Sequence, residues 1–233
     1  MVRLALAGAA AWSVPALAPV VPQLCDALGV PRRLPPGRRG VALTFDDGPH
    51  PEGTPALLDL LGEAGAVATF FVVGEQVERW PQIVERIRGE GHAVALHGFR
   101  HRNQLRLAPG VVARDLELGA GAVELATGRR PTLYRPPYGI FNPAALALVR
   151  RRGFDTLLWS RWGHDWRASV SPERIATEAT RDLTDRDVIL LHDADHYNAA
   201  GSWRNTLAAM PRILQAIERR GLHTVTPQPA ASL

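Results

Sequence analysis

Lysine is missing from this sequence, so all 27 positions counted as Lys or Arg are arginine. The arginines stand in ones and twos and form no tract, which leaves nucleic-acid recognition without positive support. Such usage reads as a bias of composition rather than a function. Cysteine is almost missing too: Cys25 is the single one, so no intrachain disulfide can form and the fold must stand on packing alone. There is no close internal repeat, no low-complexity block and no sign of a second folded domain. What the chain does have is apolar mass. Of its 233 residues 46% are hydrophobic and 21% charged, with a formal net charge of +4. That suits a full core and argues against disorder.

The N-terminus stands apart. Met1 to Val21 carries Arg3 and then a mostly apolar run from Leu4, the pattern of a secretory leader or a single membrane anchor. Ala16-Leu17-Ala18 resembles a cleavage triplet, but Pro19 directly after it would hinder cutting, so an uncleaved anchor stays open. Pro15, Pro19 and Pro22 work against a regular helix, and an apolar helix packed on the domain is the plainer alternative. The organisation expected is a leader or anchor over 1–22, a Pro-, Arg- and Gly-rich linker over 23–39, one domain over 40–228 and a tail at 229–233.

From Gly40 onward, apolar runs alternate with helix-like stretches. Strands are expected at 41–45, 68–73, 92–96, 132–135, 154–158, 188–191 and 223–225. Helices are expected at 55–64, 81–88, 109–127, 143–151, 172–183 and 206–220. Several helices open on proline and close on Gly65, Gly89, Gly128, Gly153 or Gly221. The alternation predicts an α/β fold, a parallel sheet with outer helices, and seven strands favour a (β/α) barrel, complete or not.

In such folds sites form at the carboxyl ends of strands. Five polar clusters fall there: Asp46-Asp47, His97 to His101, Tyr134 to Gly139, Trp162 to Trp166, and Leu190 to Asp193. Two adjacent carboxylates where a buried strand gives out burden each other's ionisation, and a cation or an arginine would relieve them. His97 and His101, four apart, would share a face of a helical turn and, with one aspartate, complete a two-His, one-carboxylate set. Such a set leaves room for a water whose pKa the metal lowers. The second aspartate can then take a proton. Alone, a His-x-x-x-His pair is more often a pair of surface histidines, and Asp-Asp-Gly is a common turn. Arg135 can hold a carboxylate ionised, or make a surface ion pair of little worth. His192, leaving an apolar run, can act as a general acid or sit as a satisfied core histidine. Asp165 can orient it or cap a helix.

Thr44-Phe45-Asp46-Asp47-Gly48-Pro49 and the order of the later clusters resemble the polysaccharide deacetylase family, also called carbohydrate esterase family 4 or the NodB-homology domain. The likeness runs from about Gly40 to Val225. It implies a distorted (β/α) barrel, often of seven strands. It further implies Asp46 as catalytic base, Asp47, His97 and His101 as metal ligands, Arg135 beside the base, and Asp165 with His192 as the acid pair. Tyr138, through its backbone N–H, would help hold an oxyanion, Trp166 would line the groove, and Leu190 would line an acetyl pocket. The cofactor implied is a divalent metal, Zn2+ first, with Co2+ or another ion as alternatives. Two positions depart from the family pattern. Gly98 stands where a Ser or Thr hydroxyl braces the metal loop, and Trp162 stands where another Asp often begins the fourth motif.

The expected function is therefore metal-dependent removal of N-acetyl groups from amino sugars of a peptidoglycan or chitin-like glycan, by an exported protein that is secreted or held at a membrane through its N-terminus. The alternatives are O-acetyl ester cleavage on xylan, deformylation of a lipid-linked sugar, and a non-catalytic glycan-binding module. A non-haem iron oxygenase shares the metal set but leaves Asp46, Arg135 and His192 unexplained. The loop Asp195-His196-Tyr197-Asn198 fits a sugar groove and a plain surface loop equally well.

Overall fold

The structure, a computed structural model, describes residues 21–227. The tail expected at 229–233 and nearly all of the expected leader lie outside the described residues. Among the described residues no helix is long and apolar enough to cross a membrane.

Strand β1 (Ala42–Asp46) is buried at every position and sits inside the sheet. It pairs in parallel with β2 (Thr69–Val72) on one side and β7 (Val188–His192) on the other. A parallel strand covered on both faces needs an unbroken apolar run, which Ala42-Leu43 and Val188 to Leu191 provide. Beyond β2 come β3 (Ala93–Leu96), β4 (Leu133–Tyr134) and β5 (Asp155–Thr156), and beyond β7 comes β6 (Arg161–Trp162). The order is β5-β4-β3-β2-β1-β7-β6, with every pair parallel.

That order fixes the shape. β5 and β6 are the two edges of the sheet, yet only residues 157–160 lie between them. An extended chain spans at most about 3.6 Å per residue, so the sheet must curl until its edges nearly meet. The result is a barrel left open along one seam. Arg135, fully buried, crosses into this seam and donates from Nε to the Leu157 carbonyl at 2.9 Å and from Nη2 to the Leu158 carbonyl at 3.0 Å.

Helices cover the outside: α1 (Pro22–Leu28), α2 (Gly53–Glu63), α3 (Gly74–Arg79), α4 (Pro81–Gly89), α5 (Pro109–Thr127), α6 (Pro143–Arg151), α7 (Pro172–Ala179) and α8 (Ser202–Glu218). Pro81, Pro109, Pro143 and Pro172 open four of them, where the missing N–H costs nothing. The Asn142 side chain caps α6 through the Ala145 N–H, and Ser171 caps α7 through the Arg174 N–H.

The barrel of seven parallel strands was expected, but its membership differs. The strand expected at 223–225 is a single bridge, Val41 to Thr224. The seventh strand is β6, a half-buried pair of residues with no apolar run to announce it. Helix α3, opening on Gly74, was not expected either. Part of the stretch expected as a linker over 23–39 is folded: α1 buries Cys25, Val30 and Leu34 join the core, and Arg33 bridges to Asp187.

Candidate active site

Loops at the carboxyl ends of the strands surround a cavity of about 270 Å³. Asp46, Asp47, His97, His101, Tyr138, Trp166, Leu190 and His192 line it. Arg135 and Asp165, both fully buried, stand behind it. All ten residues singled out in the sequence therefore meet at one place.

Asp46 ends β1, and Asp47 follows with φ of 79°. Neighbouring side chains on a strand point to opposite faces; the left-handed residue breaks that alternation and lets both carboxylates reach the cavity. His97 follows directly on β3, and His101 lies further along the same irregular loop rather than on a helical turn. The His97 Nδ1 lies 2.8 Å from the Arg135 carbonyl, which only accepts, so Nδ1 carries the proton and Nε2 keeps its lone pair. That Nε2 is 3.5 Å from Asp47 Oδ1, and the His101 Nε2 is 3.2 Å from the same oxygen. Each of the three residues offers a ligand atom, and these atoms lie within 4.8 Å of one another.

This trio fits a divalent cation on its own terms. Asp47 Oδ1 is buried without a hydrogen-bond partner, a costly state for a polar atom unless something else satisfies it. Burial pushes the His97 imidazole down to about 4, so it is neutral, as a ligand must be. Burial works against the charge of Asp47 also, but the imidazoles of His101, His192 and His97 outweigh it and hold the carboxyl well below the usual range. One carboxylate and two imidazoles are borderline donors of the kind Zn2+ takes.

Asp46 is held differently. Arg135 Nη1 donates to Asp46 Oδ1 at 2.6 Å and to Thr44 Oγ1 at 2.9 Å. The guanidinium also lies 3.9 Å over the Phe71 ring. With Nε and Nη2 spent on the seam carbonyls, this arginine is fixed by bonds on every nitrogen. It is a buried, paired charge, not the surface ion pair that was the plainer alternative.

On the neighbouring strand, in register with Asp46, His192 ends β7. Its Nδ1 donates to Asp165 Oδ1 at 2.9 Å, and its backbone N–H donates to Asp165 Oδ2 at 2.7 Å. Thr206 Oγ1 on α8 donates to Oδ2 at 2.8 Å. Nε2 is left on the cavity side, 4.0 Å from Asp47 Oδ2. Burial disfavours the imidazolium, yet the carboxylates of Asp165, Asp47 and Asp46 prevail and push it up to about 10. The Trp166 ring meets the His192 ring edge-on at 5.7 Å.

The two departures from the family pattern are accommodated. Gly98 has φ of +87°, and a Cβ there would come within 3.0 Å of Asp115 Oδ2. Asp115, buried on α5, accepts from the Phe99 N–H at 2.8 Å, the Arg100 N–H at 3.3 Å and Arg102 Nη2 at 3.0 Å. The loop is thus braced by a carboxylate from a helix instead of a hydroxyl at position 98. Trp162 packs with Trp159, His164 and Trp166, at ring separations of 5.7, 4.5 and 5.6 Å. With Trp159 it turns this wall of the cavity aromatic.

Sequence reasoning missed Asp115, Thr206 and Trp159, which act across long separations with no local motif. It left the loop after β7 undecided. The structure places Tyr197 and Asn198 of that loop in the cavity wall, against His101 and Asp47.

The profile of the polysaccharide deacetylase family matches residues 33–157. A peptidoglycan-N-acetylglucosamine deacetylase of Bacillus cereus is 33% identical over 195 residues, covering 83% of this chain and 88% of its own. A chitooligosaccharide deacetylase of Bradyrhizobium sp. is 34% identical over 192 residues, 79% of this chain and 87% of that one. Among solved structures, the Bc1960 peptidoglycan N-acetylglucosamine deacetylase superposes with a TM-score of 0.79 at 28% identity, covering 86% of this chain and 92% of the other.

Proposed function

Because the chain belongs to the polysaccharide deacetylase family, whose similar members here are named for deacetylating glycans, we propose that its cavity removes N-acetyl groups from the amino sugars of an acetylated glycan and releases acetate. The observation that carries this reading is the convergence on one cavity of an arginine-held carboxylate, a carboxylate-held imidazolium and a metal-type donor set. Asp47, His97 and His101 are the residues that would hold the divalent cation, Zn2+ first, with Co2+ as a substitute. Bound there, it would supply Lewis acidity toward a carbonyl oxygen and toward water.

The protein's own groups supply the proton traffic. Asp46 is the base: Arg135 occupies Oδ1 and leaves Oδ2 to take the proton of the attacking water. His192 is the acid: its proton at Nε2 passes to the amide nitrogen as the C–N bond breaks, so the sugar leaves as an amine. Base and acid must start in opposite protonation states. Arg135 beside one and Asp165 beside the other provide that difference. The Tyr138 N–H is assigned to the developing oxyanion, a contribution of about 3 kcal/mol for donors of this kind. Leu190 and the aromatic wall of Trp159, Trp162 and Trp166 exclude water around the acetyl methyl. We assign the catalytic domain to the chain from α1 onward, preceded by a leader or anchor, and place the protein outside the cytoplasm, on a wall glycan or a chitin-like oligomer.

The test is acetate release from N-acetylglucosamine oligomers with Zn2+ or Co2+ added, run beside acetylxylan. Asp46→Asn and His192→Ala should each lower kcat by about 10²–10⁴-fold. Wild-type turnover in either variant would overturn the roles given, and turnover confined to acetylxylan would move the reading to ester cleavage.

A further inference from the structure

The loop between β7 and α8, residues 193–201, is pinned to three neighbours. The His196 Nε2 lies 3.1 Å from the Pro49 carbonyl, the Asp195 carboxylate 3.3 Å from His50 Nε2, and the Ala199 N–H donates to the Trp166 carbonyl at 3.1 Å. Two of its side chains reach the trio. Asn198 Nδ2 donates to Asp47 Oδ2 at 2.7 Å and to the Ala194 carbonyl at 3.2 Å. Both amide hydrogens are thereby spent, so the amide cannot turn. Tyr197 lays its ring parallel to His101, 4.4 Å between centroids and 11° between planes. Its hydroxyl donates to Glu75 Oε1 at 2.8 Å and accepts from Gln76 Nε2 at 3.1 Å, both on α3.

We propose that Asn198 and Tyr197 are positioning residues of a divalent-cation site, Asn198 aiming Asp47 and Tyr197 holding the His101 ring. The inference rests on reading Asp47, His97 and His101 as the cation's ligands. By occupying Oδ2, Asn198 turns the other oxygen, Oδ1, toward His97 and His101, and Oδ1 is the atom left without a partner. By covering one face of His101, Tyr197 holds the plane of the ring in which Nε2 lies 3.2 Å from Oδ1. Outer partners that fix a ligand's orientation typically account for about 10–100-fold in metal affinity.

The experiment titrates the full chain with Co2+ against a chromophoric chelator and records the visible d–d bands of the bound ion. Asn198→Ala and Tyr197→Ala should each weaken Co2+ binding about 10-fold or more and alter the bands. Tyr197→Phe, which keeps the ring, should bind near the wild-type level. His196→Ala cuts a tie of the same loop without touching a ligand and should leave affinity and spectrum unchanged. Thermal unfolding of each metal-free variant checks that the fold persists. Wild-type affinity and bands in both alanine variants would overturn the proposal, as would an equal loss in His196→Ala. If wild-type protein binds Co2+ no more tightly than His101→Ala does, the ligand assignment itself falls, a result distinct from failure of Asn198 and Tyr197 alone.

Discussion

Asp47 and Asp165 are both buried carboxylates within reach of histidine, one lining the cavity and one behind it, and their neighbours differ in kind. Asp165 receives three hydrogens on its two oxygens, from the His192 ring, the His192 backbone and Thr206. Its polar demand is met by the protein itself. Asp47 receives one, from Asn198 on Oδ2, while Oδ1 faces two imidazoles and has no hydrogen-bond partner. The first arrangement is finished on folding and sets a proton affinity. The second fits a cation and leaves a buried oxygen unpaired without one.

The largest test of this contrast is to remove the charge of each carboxylate in turn. Asp47→Asn should lower apparent Zn2+ affinity by about 100-fold or more, above the range typical of outer partners, with activity lost in step; chelator competition reads the first. Asp165→Asn should bind Zn2+ as before and lose about 10²-fold or more in kcat. Its pH profile carries the sign. His192 must be protonated to act, and the Asp165 carboxylate helps push it up to about 10. Without that charge its pKa falls, so the alkaline limb of kcat/KM should move to lower pH. An unmoved limb would break the pairing of the two residues.

Stability should invert the order. In metal-free protein, Asp165→Ala strands the His192 N–H and Thr206 and should cost about 2–4 kcal/mol by urea unfolding. Asp47→Ala removes an under-satisfied oxygen and should cost less than half of that. Added Zn2+ should raise the Tm of wild type and not of Asp47→Ala.

A third carboxylate sharpens the comparison. Asp193, next to His192, is pushed up to about 7 by burial, with Thr54 donating to it. A carboxyl whose folded pKa exceeds its unfolded value, about 3.9, contributes stability that is fully present below the unfolded pKa. That contribution is lost as pH rises through 7. Asp193→Asn keeps an acceptor for Thr54 and should remove this slope, up to about 1.4 kcal/mol per pH unit; urea midpoints at pH 5 and pH 8 read it. Gly98→Ala should cost about 1–2 kcal/mol for a side chain in left-handed backbone, measured the same way.

Much of this was legible in the chain. A hexapeptide from Thr44 to Pro49 and four later clusters, each placed where an apolar run ends, contain the ten residues that the structure brings together at and behind the cavity. Strands buried on both faces announce themselves as apolar runs, and β1, β2 and β7 were read from that signal. β6 was not, because Arg161-Trp162 pairs along one edge, half-exposed, in two residues. The bridge at Thr224 was over-read because Val225 and Leu222 are apolar for reasons of packing against the core. What the sequence hides most is contact at long separation. Asp115 reaches back to a loop 13–16 residues away, and Asn198 to Asp47 across 151. Neither spacing is periodic, so neither leaves a pattern.

The Asp115 brace carries one more consequence. A carboxylate oxygen lies 3.0 Å from where a Cβ at position 98 would stand, and the backbone there is in a region that disfavours any Cβ. A hydroxyl side chain placed at 98 therefore crowds Asp115, and removing Asp115 leaves the Phe99 and Arg100 N–H groups without that acceptor. The two positions are therefore coupled: a side chain at 98 and the Asp115 carboxylate compete for one corner of the loop, so exchanging both should cost something other than the sum of the single exchanges.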